Sequence, residues 1–541
     1  MFPRASPWFD RIILDLGRAF RLSYLPPLMV YLAYGVSSLT SIVGAFFVKD
    51  YLGLSAEFLA ALGFWAGIPW ALKMPLGHLV DLIWRYKSAL VYVGAGLIAA
   101  SLLIMVGLLG QPDAMGAFMP VSAWYVLSVL LAPTGYVVQD VVADAMTVEA
   151  VPRVDREGEP FPAATRRRMH TTMQTLGRVA LIGGGVFVAL LNLFLFQGVG
   201  AMSEADKVGI YVLVYQLALF IPVVSVTGVL LGGRLKRREL ERLRGHGFDE
   251  RAAEEMVHGH TEATPPNWWI LGGSLVFVVF TLSVGLGEVP YNQEIIFAGS
   301  MAILIFLIFR LLGELAPQAR RVLLGTALLI FVFRAMPAVG AGQTWWSIDE
   351  LGFDQQFFSV LSLIGSGLAL FGMFIFRRFM AERSIAYIVG FLTIAGTLLT
   401  LPFIGMYYGL HEWTAAHTGG VVDARFIALV DTAIESPLGQ VAMIPMLAWI
   451  ANSAPARLKA TFFAVMASFT NLALSLSMLG TKYMNQLFTV TREVKDRTTG
   501  EITAPADYSE LGWLMITVAV LAFVLPMTAI ALVKRTRLRS A

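Results

Sequence analysis

The chain has 541 residues, of which 57% are hydrophobic and 14% charged, and its formal charge is +3. Soluble domains carry roughly 25% charged and 45–50% apolar residues. The composition therefore excludes a soluble enzyme, a disordered chain and an ordinary nucleic-acid binder, and it predicts an all-α, polytopic membrane protein. Cysteine is absent, so disulfides, thiolate metal sites and a cysteine nucleophile are excluded too. No cofactor-binding loop or metal-ligand cluster stands out.

In chain order, residues 1–25 come first, with Arg4, Arg11, Arg18 and Arg21 between Trp8, Ile12, Ile13, Leu16 and Phe20. This spacing predicts an amphipathic segment on the membrane surface rather than a cleaved signal. Apolar runs long enough to span follow at 26–48, 57–84, 88–109, 121–150, 170–198 and 208–232. A polar stretch at 233–267 reads as a cytoplasmic linker, helical in part, and its His258 and His260 read as solvated. Two further runs, within 268–312, precede six more at 322–343, 356–376, 384–410, 423–451, 458–488 and 511–533. The expectation is fourteen spans: a six-helix bundle over 26–232, two inserted helices, and a second bundle over 322–541.

Positive charge alternates between connections as the positive-inside rule requires. One side collects the N-terminal arginines, Arg85 and Lys87, Arg166 to Arg168, the run from Arg234 to Arg251, Arg320 and Arg321, Arg377 and Arg378, and the C-terminal tail. Both termini are thus expected in the cytoplasm, with the chain in the inner membrane. Loop 489–510, where Arg492, Lys495 and Arg497 are offset by acids, predicts a small β-hairpin turning at Thr498-Thr499-Gly500.

Charges inside spans are costly, at least ~2.5–3.5 kcal/mol at the centre on insertion scales, and so they draw attention. Lys73 lies about 18 Å from the end of its helix, Asp140 about 15 Å and Arg178 about 12 Å, all at overlapping depth. Asp140 and Asp144 share a helix face. This predicts a buried, mutually compensating cluster, a pattern that also serves simply to pin helices together. In the second half Arg334 and Glu435 lie at similar depth, with Asp431 one turn from Glu435 and Gln440 and Asn471 on neighbouring spans. Acids fall in the fourth span of each half, as a parallel repeat with a midplane site predicts. Glu149 reads as a helix-end charge, Lys482 as a snorkelling side chain, and Asp81 with Arg85 as a gate.

These residues occur in recognisable sequences. PWALKMPLGHLVD (69–81), followed by Arg85 and Lys87, resembles the loop between spans two and three of the major facilitator superfamily. With Pro69-Trp70, Lys73, Pro75, Gly77 and Asp81, the pattern is similar to the folate–biopterin transporter family. QDVVADAMTVE (139–149) resembles that family's acidic fourth-span motif. WWSIDELGFDQQF (345–357), Asp431, GQVAMIPMLAWIANSAP (439–455) and ATFFAVMASFTN (460–471) follow in family order.

The resemblance implies the major facilitator fold, here with two helices beyond the family's usual twelve. It implies secondary transport of a small organic anion, folate- or pterin-like, by alternating access and with proton coupling. Lys73, Arg178, Arg334, Gln440 and Asn471 are the candidate substrate contacts, since cations suit carboxylates. Asp140, Asp144, Asp431 and Glu435 are candidate proton carriers, and Gly77, Asp81 and Arg85 candidate gate residues. Expected partners are the anion, protons and lipids, with no nucleic acid, and the chain is expected to be a monomer. The acidic QDVVADA run also resembles muropeptide permeases and acetyl-coenzyme A transporters, so those substrates stay open, as does a non-transporting assembly factor that reuses the fold.

Overall fold

The computed structural model describes residues 15–541 apart from 19, 53, 72, 156–158, 259–267, 288, 314–316, 440, 442–458, 496–501, 537, 539 and 541. Apart from one two-stranded hairpin, the described elements are helical. Helices of nine residues or more run in this order: α1 Leu25–Gly35, α2 Ser41–Tyr51, α3 Ala56–Ala71, α4 Lys73–Leu82, α5 Ser88–Gly110, α6 Val121–Ala150, α7 Ala163–Leu195, α8 Glu204–Ala218, α9 Phe220–Gly245 and α10 Glu250–His258. Then follow α11 Trp268–Leu286, α12 Asn292–Leu312, α13 Pro317–Arg334, α14 Ala341–Asp349, α15 Gln355–Ile375, α16 Ile385–Tyr407, α17 Ala424–Glu435, α18 Lys459–Leu487 and α19 Leu511–Arg535.

Among the described residues, ten helical segments are long and apolar enough to cross a membrane. Large apolar side chains stand outward on them, Phe194 at 75% and Phe220 at 66% exposure among others. Such a surface is unaffordable in water and natural against lipid. The chain is an integral membrane protein. Of the predicted spans missing from the ten, 268–288 holds α11, 322–343 holds α13 and the start of α14, and 458–488 holds α18. The span 423–451 begins as α17, and most of its second half lies outside the described residues.

Two boundaries differ from the sequence reading. The expected continuous helix 322–343 stops at Arg334 and resumes at Ala341. Pro337 cannot donate to a helical ladder, and Gly340 sits at φ +87°, a left-handed conformation that ends regular helix. Helix α18 takes up the freed backbone groups: Ser477 Oγ donates to Met336 O, Ala338 N donates to Thr481 Oγ1, and Asn485 Nδ2 donates to Val339 O. A break inside lipid is tolerated only when the exposed backbone is satisfied in this way. The second difference is α9, which continues as helix to Gly245 and carries the span directly into the predicted linker.

Helices α1 to α9 are called the first helix set and α13 to α19 the second; they touch along α3 with α18 and along α7 with α15. Within the first set α5 and α6 touch backbone to backbone, because Gly94 and Gly135 face each other. A Cβ on either would lie 2.6 Å from the other's carbonyl oxygen. Small residues at such crossings let dispersion forces hold helices in lipid, where the hydrophobic effect gives no drive. The pair α11 and α12 packs against α3 and α4 of the first set and α18 of the second, in a cluster built on Phe64, Phe277, Ile296 and Leu472. The hairpin expected in loop 489–510 is present as β1 Val494–Lys495 paired antiparallel with β2 Ile502–Ala504. Its turn lies outside the described residues.

Candidate transport site

The acidic run on α6 and the first residue of α4 meet in mid-bundle. Lys73 Nζ stands 2.5 Å from Asp140 Oδ2 and 2.8 Å from Asp144 Oδ2, so one ammonium is held between two carboxylates. The i, i+4 spacing of the acids makes this possible by placing both on one face. Tyr31 of α1 donates its hydroxyl to the other oxygen of Asp144, at 2.6 Å. Arg178 of α7 lies within electrostatic reach of Asp140 but forms no ion pair among the described residues. Two acids and two bases thus balance, although only the lysine is in direct contact. Gln139, 3% exposed, donates to Val91 O and to Ser225 Oγ and ties α6 to its neighbours.

Aromatic rings flank the cluster. Tyr34 packs against Trp70 and Tyr136 with centroids 5.6 and 5.4 Å apart. Tyr136 also borders a cavity of about 460 Å³ between the two helix sets, whose hydroxyls include Ser37, Thr40 and Tyr215 and whose far wall is Thr344 and Trp345 of α14. That volume lies within the range of small-molecule sites. Asn471 of α18 donates to Trp70 O at 3.1 Å, which links the second set to the same layer.

In the second set Asp431 is 5% exposed and its Oδ1 has no hydrogen-bond partner among the described residues. Arg334, on the last turn of α13, likewise leaves Nε without one. No ion pair joins the two, and Glu435 is exposed. Gln440 lies outside the described residues. Of the candidate gate residues, Gly77 faces open space and Arg85 reaches Glu254 of α10 at 3.7 Å. Asp81 lies on α4, and its side chain is outside what the structure describes.

Glu149 corrects the sequence reading. It is no simple helix-end charge: its side chain is 2% exposed and bridges Lys87 and Lys236, each at 2.5 Å. Lys482 does not merely snorkel either, since it bonds Glu294 at 3.0 Å and so ties α18 to α12. His258 and His260 lie where side chains are not described, and no metal-type cluster occurs among the described residues.

Sequence reading also missed a latch at the opposite end of the bundle from Glu149. Lys49 Nζ lies 2.5 Å from Asp349 Oδ1, and Tyr508 donates to the second oxygen of Asp349. Burial first, and the Asp349 carboxylate next, push the Tyr508 phenol well above its ordinary range. Arg492, 5% exposed, donates to the carbonyls of Lys49 and Leu54 and lies 4.9 Å from the centre of the Trp345 ring. The available signal was an arginine inside an otherwise acid-balanced loop, which composition cannot separate from solvated charge.

Residues 301–540 match the model of the BT1 family. Over 464 residues the chain is 24% identical to the folate-biopterin transporter of Synechocystis sp., an alignment covering 85% of this chain and 74% of that protein. Among solved structures it is similar to the peptide transporter POT in complex with sulfate, with TM-score 0.56, 14% identity, and coverage of 95% of this chain and 94% of that one. A point variant of the nucleoside transporter NupG gives TM-score 0.53 at 13% identity, with coverage of 94% and 99%. The solved structures establish the fold. Family and relative agree with the resemblance read from the motifs, and they are transporters, not enzymes.

Proposed function

We propose that this chain, a relative of the folate–biopterin transporters, is a secondary transporter that carries a small organic anion of folate or pterin type by alternating access coupled to protons. On this reading fourteen helices span the inner membrane, in six-helix bundles over 26–232 and 322–541, with the two helices of 268–312 between them. The linker 233–267 and both termini then lie in the cytoplasm. The chain works as a monomer.

One observation carries the reading: a single lysine clamped by two carboxylates at mid-bundle, Lys73 with Asp140 and Asp144. Lys73 and Asp140 are only 20% and 13% exposed, and such a pair stabilises a fold poorly because removing each ion from water is costly. Such a costly cluster in a membrane span points to use. Protonation of Asp140 weakens the clamp and releases the ammonium of Lys73 toward a substrate carboxylate. Deprotonation on the other side restores the pair and expels the anion. Arg178 and Arg334 offer fork-shaped donors that suit a carboxylate, with Asn471 and Gln440 as neutral contacts. Asp144, Asp431 and Glu435 are further proton carriers, and Gly77, Asp81 and Arg85 belong to the gate at the arginine-rich end. The aromatic layer of Tyr34, Trp70 and Tyr136 supplies faces for a flat heterocycle. The curated relative's name favours folates and pterins over muropeptides or acyl carriers.

The test is uptake of labelled folate and pterin into liposomes holding the purified protein, with and without an imposed proton gradient. Uptake that follows the gradient and is lost in Asp140→Asn is expected. Folded protein that moves neither compound under any gradient would reject the substrate class.

A further inference from the structure

We propose that the arginine-rich end of the first helix set binds the phosphate headgroup of an anionic lipid. A cavity of about 1660 Å³ opens there between the ends of α1, α5, α6, α7 and α9. Its wall includes Arg168, Arg234, Arg237 and Arg238, all exposed and none in an ion pair among the described residues. Four other cations of the same wall already have acidic partners. Lys87 and Lys236 hold Glu149, Arg242 pairs with Glu239, and Arg85 reaches Glu254. Glu149 and Glu239 of that wall are therefore occupied, and the concavity keeps a surplus of guanidinium groups suited to bidentate phosphate contact.

A second feature separates a lipid from a free anion. Phe20, Tyr92 and Leu230 border the same cavity at 42%, 44% and 50% exposure. An apolar rim beside a basic wall matches a molecule with acyl chains below a phosphate, and basic pockets between helix ends at the charged leaflet are where such headgroups bind. Arginines that served only to orient the chain would be solvated one by one and would need neither the concavity nor the rim. Free phosphate shares the charge chemistry but has no use for the apolar border. The cavity floor is the Glu149 bridge, which joins α6 to α9 and to the start of α5. A bound headgroup therefore tightens the helix ends that this bridge already joins.

The experiment follows thermal unfolding of the full-length protein in neutral detergent, titrated with phosphatidylglycerol, phosphatidylcholine or inorganic phosphate. Lipid retained on the protein is read in parallel by native mass spectrometry. Phosphatidylglycerol is expected to raise Tm and to stay bound, while the other two do neither. In R234Q/R237Q the apparent affinity for phosphatidylglycerol should fall roughly tenfold or more, and R168Q, on a separate helix, should weaken it in the same direction. The charge-matched control K534Q/R535Q, placed at the same membrane end, should bind as the parent does. An equal loss in that control would overturn the site in favour of diffuse surface charge. Equal stabilisation by inorganic phosphate would overturn the lipid in favour of a soluble anion.

Discussion

Lys49 and Asp349 form a 2.5 Å ion pair across the seam between the two helix sets, with side chains only 6% and 18% exposed. Arg492 reaches over the same seam from the second set to the carbonyls of Lys49 and Leu54. One end of the bundle is therefore held shut by groups that must separate if the halves rock apart. The chain contains no cysteine, so a single reporter at Thr344, in the cavity behind this latch, reports access directly. Arg492→Ala is expected to raise labelling of Thr344→Cys by a membrane-impermeant thiol reagent several-fold. Unchanged labelling would show that the latch does not govern access.

Removing Lys73 leaves the carboxylates of Asp140 and Asp144, 13% and 43% exposed, without their shared cation. Lys73→Met alone should destabilise the protein by about 1–3 kcal/mol, because the carboxylates it leaves are only partly buried. Adding Asp140→Asn to it should recover much of that loss, because one acid is neutralised with the base. Denaturant unfolding of the two variants in detergent measures both steps, and additive losses would mean the pair is uncoupled.

Asp140→Asn by itself keeps Lys73 paired with Asp144, so insertion and folding should be normal while gradient-driven uptake disappears. Full coupled uptake in this variant would remove Asp140 from the mechanism.

The cationic side chains should discriminate by substrate charge. Lys73→Ala and Arg178→Ala are expected to weaken transport of anionic substrates more than that of neutral analogues, by about tenfold for each lost charge-assisted contact. Competition uptake with paired ligands decides it. Equal losses for both ligands would assign the two residues to helix packing.

The α5–α6 crossing makes a purely structural prediction. Gly94→Ala puts a methyl 2.6 Å from a backbone oxygen of Gly135 and should cost about 1–3 kcal/mol or more. Gly96→Ala, two residues away and with open space at its Cβ, should be neutral or slightly stabilising because alanine favours helix. Thermal unfolding of the two variants side by side gives the comparison.

The membrane class, most helix positions and the residues worth attention were legible from linear rules. A span must be long and apolar, a charge within it is expensive, and acids four apart share a face. These rules act within one helix, and they drew Lys73, Asp140 and Asp144 to notice before any contact was seen. The broken helix at 335–340 was partly legible as well, in Pro337 and Gly340, but apolar run length outweighed those signals.

Pairing between helices was not legible, because it depends on which faces meet. Nothing local distinguishes Tyr31, which bonds Asp144, from a core tyrosine. Glu149 read as a helix-end charge until α5 and α9 brought Lys87 and Lys236 to it, and Arg492 as one charge of an acid-balanced loop until that loop folded back onto residues 49–54. Depth along a helix is set by the sequence at 1.5 Å per residue. Rotation and partners are set by close packing against neighbouring helices, and that packing leaves Arg334 and Asp431 without each other while it closes Lys73 between two acids.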